Sequence, residues 1–98
     1  MVEVRTFRVA DGLVVVVRGE LDAALAAEVA EQATGQDGGL VVDLLRAKFV
    51  DLDVVDAFVA ALPTDTRFVA ERTMLEALRV VGLHRPVAVE PSLLAALA

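Results

Sequence analysis

The 98-residue sequence contains no cysteine, tryptophan or tyrosine, only one histidine, and three prolines and six glycines. Without cysteine there is no disulfide framework, no thiolate zinc site and no cysteine nucleophile, and a single histidine cannot furnish a multi-histidine metal site. Basic residues are also few: nine Lys and Arg stand against fifteen Asp and Glu, for a formal net charge of −6, and the nine are scattered. A phosphate backbone or an anionic membrane surface calls for a concentrated basic patch, so nucleic acid and membrane are not expected partners. The start Met-Val-Glu-Val-Arg has no basic segment followed by an apolar one, and no apolar run approaches the roughly 18 residues of a bilayer span. The expectation is a soluble cytoplasmic protein.

What is present is 57% hydrophobic residues, mostly Ala, Val and Leu, with 4% aromatic. That fraction supplies a core, and the length suits one domain over residues 1–98 rather than a two-lobed enzyme or a large barrel. Val2 to Ala10 alternates apolar and charged residues as a half-exposed strand does, with a slip near Thr6, and Asp11-Gly12 is a hairpin signal. Leu13 to Val17 is a continuous apolar run, expected of a central strand covered on both faces and ending at Arg18-Gly19.

Asp22 precedes a helix over Ala23 to Ala33 on the Leu21, Leu25, Val29, Ala33 stripe, closed by Gly35, Gly38 and Gly39. Leu40 to Leu45 reads as a buried strand containing Asp43. Asp51 is a second N-cap, before a helix striped by Leu52, Val55, Val59 and Leu62, broadened by Val54 and Phe58, and stopped by Pro63. Arg67 to Ala70 is a short strand. A helix from Arg72 follows with Met74, Ala77, Leu78 and Val81 on one face and Gly82 at C′; then come a strand over Pro86 to Glu90 and a terminal helix beginning at Pro91 with Leu93, Leu94 and Leu97 apolar. The order ββαβαβαβα implies an α/β fold with a mostly parallel sheet of about five strands, the first pair antiparallel, and about four helices. Ligands and partners of such sheets meet the loops at the carboxyl ends of the strands, which here carry Glu20, Asp22, Lys48, Asp51 and Asp53.

Three segments resemble the STAS domain of bacterial anti-sigma factor antagonists. Arg18-Gly19-Glu20-Leu21-Asp22 is similar to the family's Gly-Glu-Leu-Asp approach to its first helix. Leu40-Val41-Val42-Asp43-Leu44 followed by Phe49-Val50-Asp51 is similar to its central strand and loop, and Gly82-Leu83 with Ser92-Leu93-Leu94-Ala95-Ala96-Leu97 to its closing elements. The resemblance spans nearly the whole chain and implies a non-enzymatic STAS-like module controlled by phosphorylation. In that family the loop Asp is followed by Ser, then Ser or Thr, then Gly and Leu. A partner serine kinase of the histidine-kinase ATPase type, itself the anti-sigma factor, phosphorylates the second hydroxyl.

The matching positions here read Asp51, Leu52, Asp53, Val54 and Val55, so Asp53 occupies the phosphoacceptor position and no hydroxyl is there. A carboxylate near a helix start is stabilised much as a phosphate is, but with about one charge instead of nearly two. Asp53 is thus either a fixed, imperfect phosphomimic or the mark of lost regulation, and the bulk of Leu52 and Val54 points away from kinase recognition. The resemblance places Glu20, Asp22, Asp51, Leu52, Asp53, Val54 and Asp56 on the partner-binding face. A possible homo-oligomer is left open, as is a structural or adaptor subunit of a larger assembly.

Other readings of these residues are weaker. Asp51-Leu52-Asp53 also resembles the Asp-x-Asp motif of haloacid-dehalogenase-type phosphatases, but that motif follows a first strand on a larger sheet, and only about 45 residues follow it here. Asp43 with Asp51 could form a Mg²⁺ pocket, against which stands a carboxylate satisfied by neighbouring loop amides. No metal and no cofactor are expected. His84 has no serine or acid at a suggestive spacing and is assigned to a loop or to the C-terminal part of a helix. Arg67, Arg72, Arg79 and Arg85 are expected to be solvated or paired with Glu71 and Glu76. The broad apolar stripe of the second helix is assigned to the core, with a partner surface as the lesser alternative.

Overall fold

The β-branched density of Leu13 to Val17 builds the centre of the molecule, and chain order builds outward from it. The computed structural model describes residues 3–10, 12–33, 39–49 and 51–97. The elements are β1 (Glu3–Val9), β2 (Gly12–Leu21), α1 (Ala23–Ala33), β3 (Leu40–Phe49), α2 (Leu52–Ala61), β4 (Arg67–Val69), α3 (Arg72–Val81), β5 (Ala88–Glu90) and α4 (Leu93–Leu97). The five strands form one sheet in the order β1-β2-β3-β4-β5, antiparallel between β1 and β2 and parallel elsewhere. This is the α/β architecture expected from the order of elements.

Side-chain alternation along β2 divides the core. Leu13, Val15 and Val17 face one side with Leu40, Val42, Leu44 and Phe68, where α1, α2 and α3 cover them. Val14 faces the other side with Val41 and Val69, beneath Ala96 and Leu93 of α4. Both faces of the run are therefore buried, as a central strand requires. Phe58 of α2 meets Phe68 of β4 edge to face, ring centroids 6.3 Å apart, and this contact pins the second helix to the sheet.

Several boundaries differ from the expectation. No slip occurs at Thr6: the β1–β2 register runs unbroken from Glu3↔Arg18 to Val9↔Gly12. Gly12 is consequently the first residue of β2. A Cβ there would lie 2.8 Å from the carbonyl oxygen of Gly39, so this position needs glycine for close backbone approach. β2 continues past Arg18-Gly19 to Leu21, and β3 past Leu45 to Phe49. Each extension is the other's partner, through Gly19↔Ala47, Glu20↔Lys48 and Leu21↔Phe49, after a register shift between Val16 and Arg18.

Leu52 is 38% exposed, so the buried row of α2 is Val55, Phe58 and Val59, with Leu62 just beyond the helix. Gly82 is the right-handed C-cap of α3 (φ −63°), not a left-handed C′ residue; its N–H reaches the Leu78 carbonyl at 2.9 Å. Pro91 precedes α4, whose start is held by Ser92: the hydroxyl accepts from the Ala95 amide at 3.1 Å. In α4 only Ala96 is fully buried, while Leu94 and Leu97 are exposed. Val2, Asp11, Gly35, Gly38 and Val50 lie outside the described residues.

Candidate functional site

Four parallel strands in sequential order, β2 to β5, bring their carboxyl ends to one side of the sheet. Glu20 and Lys48 are register partners near the ends of β2 and β3, so the starts of α1 and α2 arise beside each other. Both helices open on an aspartate. The Asp22 carboxylate accepts the Leu25 amide at 2.8 Å, and that of Asp51 accepts the Asp53 amide at 2.8 Å. Each satisfies an amide that the helix itself cannot. Asp51, with extended backbone (φ −136°, ψ 125°), is the N-cap of α2, and Asp53 lies in its first turn, at the end of the helix where a negative charge is favoured.

Glu20, Asp22, Asp51, Leu52 and Asp53 are all exposed, and Val54 is half-buried. Asp53 and Val54 stand at a groove of about 330 Å³ between α1 and α2. Ala23, Ala26, Ala27 and Ala30 line it from one side, and Ala57, Phe58 and Ala61 from the other. The groove accounts for the width of the apolar stripe on α2. Phe58 faces the core from its floor, whereas Ala57 and Ala61 are exposed.

Asp56 does not join this group. It lies on the opposite flank of α2, where its Oδ1 accepts from Arg85 Nε at 2.9 Å and lies 2.9 Å from His84 Nε2. The hydrogen bond with His84, assisted by Arg85, lowers the Asp56 carboxyl below its ordinary value despite partial desolvation. Asp56 thus ties α2 to the α3–β5 connection. Of the residues that the resemblance assigns to the partner-binding face, Asp51 and Asp53 share the start of α2, while Asp56 is engaged by His84 and Arg85. His84 and Arg85 are the residues that sequence reasoning missed as a cluster, since 28 and 29 positions separate them from Asp56 and no local pattern signals the contact.

Asp43 satisfies the Leu45 amide at 2.9 Å, which is the local carboxylate role and not a metal pocket with Asp51. Among the described residues no group of three or more potential ligands converges as a metal site. Arg79 pairs with Glu76 at 3.0 Å, as expected, whereas Arg67 donates to the Ala96 carbonyl at 2.8 Å and anchors α4. No helix among the described residues is long and apolar enough to cross a membrane.

No protein-family model and no curated protein matches the sequence. Solved structures do match. An anti-sigma factor antagonist from Mycobacterium paratuberculosis superposes with a TM-score of 0.78 at 21% identity, over 99% of this chain and 92% of that one. The anti-sigma factor antagonist SpoIIAA in its unphosphorylated form gives 0.65 at 16% identity, over 97% and 94%. An uncharacterized DUF3478-family protein from Shewanella loihica PV-4 with a SpoIIAA-like fold gives 0.61 at 15%, over 98% and 90%. Element order, strand order and near-complete coverage in both directions agree: the chain has the STAS-like fold of the anti-sigma factor antagonists.

Proposed function

We propose that this chain is a non-enzymatic, cytoplasmic regulatory module that binds a protein partner through the exposed carboxyl-end surface formed by Glu20, Asp22, Asp51, Leu52, Asp53 and Val54. The partner class is an anti-sigma factor of the serine-kinase type. The observation that carries the reading is the placement of Asp53. A permanent carboxylate occupies the first turn of α2, next to the capping Asp51, at the position to which the sequence resemblance assigns a removable phosphate. The position is exposed, so its charge faces any partner that docks there. Asp56 is left out of this surface because His84 and Arg85 engage it.

The experiment compares wild type with Asp53→Ser as bait in lysate of the source organism and identifies captured proteins by mass spectrometry. Retention of a histidine-kinase-type ATPase by Asp53→Ser and not by wild type overturns binding by the wild-type chain and leaves a switch locked in its phosphorylated-like state. Retention by both supports partner binding without the lock. If neither variant retains such an ATPase, the proposed partner class is wrong.

A further inference from the structure

The two edges of the sheet are unequal. β5 offers three residues, Ala88–Glu90, too short to template another strand effectively. β1 offers seven, Glu3–Val9, with no proline and no bulge, five of them exposed, and among the described residues β2 is its sole neighbour in the sheet. In an antiparallel ladder alternate residues turn N–H and C=O outward, so the outer side of β1 presents a row of hydrogen-bonding groups.

The charge pattern of β1 selects the strand that fits it. We propose that β1 pairs antiparallel with β1 of a second copy across a two-fold axis at Thr6, joining two sheets into one of ten strands. A two-fold axis normal to the sheet must pass through a residue, and only Thr6, the middle of the seven, keeps all of them paired. In that register Thr6 meets Thr6, Arg5 meets Phe7, Val4 meets Arg8 and Glu3 meets Val9, so no like charges stand directly opposite. Moving the axis to Arg5 or Arg8 opposes two guanidinium groups and shortens the ladder; moving it to Phe7 leaves five paired residues.

The Arg5–Phe7 match occurs twice. Both residues lie on the face of the sheet that carries Val14 and Val16, where Phe7 is 49% exposed. A guanidinium from the second copy beside that ring gains cation–π attraction and covers apolar surface. The interface is isologous, so it closes at two copies. It does not depend on the partner proposed above.

The test uses the full chain. Sedimentation velocity over a concentration series is expected to show the mass doubling for wild type. Thr6→Lys, which sets like charges on the axis at an exposed position, returns the protein to monomer with an unchanged circular dichroism spectrum. Because the chain has no cysteine, Thr6→Cys introduces a single reporter. Directly opposed residues place their Cα atoms about 4.5–5.5 Å apart, within disulfide reach, so mild oxidation crosslinks this variant rapidly. Leu83→Cys, although 84% exposed, crosslinks only at the slow rate of random collision. Wild type that stays monomeric throughout the series overturns the proposal. So does a Thr6→Lys chain that dimerises like wild type, or equal crosslinking of the two cysteine variants. If Thr6→Lys fails to fold, the comparison of the cysteine variants decides.

Discussion

Single residues carry constraints of different kinds. At Gly12 the constraint is steric, because the obstacle is the backbone carbonyl of Gly39, to which the Leu13 amide is also bonded at 2.9 Å. Gly12→Ala should cost about 1–3 kcal/mol, as overpacking against backbone does. Gly39→Ala, with nothing within 4 Å of the added carbon, serves as the contrast in the same urea titration. At Asp51 the constraint is the cap. Asp51→Ala should lower stability by about 1 kcal/mol and Asp51→Asn by less, since the amide oxygen still accepts from Asp53. Both cap aspartates are legible in the sequence because a cap precedes its own helix by one residue. The close approach of Gly12 to Gly39 is not, because it depends on how two strands 27 residues apart are laid together.

At the level of elements, α2 is organised by three flanks. Its core flank should yield the largest loss, about 3–5 kcal/mol for Phe58→Ala, while Leu52→Ala should stay within about 0.5 kcal/mol because that side chain is exposed. Its second flank is tied through Asp56 to His84 and Arg85, and the depressed carboxyl makes this tie pH-dependent. A carboxyl lowered in the folded state contributes stability that is present above its unfolded value and is lost as pH falls through the lowered one. The difference in urea midpoint between wild type and Asp56→Asn should therefore be present at neutral pH and vanish in acid. The third flank is the groove shared with α1. Periodicity reveals helices such as α1 and α3, whose buried residues are local in sequence, and α3 buries Met74, Ala77, Leu78 and Val81 as its pattern suggests. The extensions of β2 and β3 were hidden because Arg18-Gly19 and Arg46-Ala47-Lys48 look like strand ends taken singly. Only their mutual pairing makes them strands.

The whole molecule has the simplest wiring a five-stranded sheet can have, since strand order in space equals strand order in the chain. The fold was legible for that reason: each β-α-β unit needs only its neighbour, and right-handed crossovers in one direction place α1, α2 and α3 together on one face. The surface at the carboxyl ends follows from the same wiring, with Glu20, Asp22, Asp51 and Asp53 collected from consecutive connections, whereas the Asp56 cluster on another flank of α2 has no such origin. The wiring also bears on how the molecule assembles. Loop-closure entropy rises with the length of chain enclosed, and here every pairing encloses the shortest segment available to it. Folding can therefore grow from the β1–β2 hairpin, with each later helix and strand docking onto an edge already in place. Pulse-labelled hydrogen exchange during refolding should find amide protection in β2 before β4 and β5. Growth ends at β5, whose three residues leave little edge for a further strand to join.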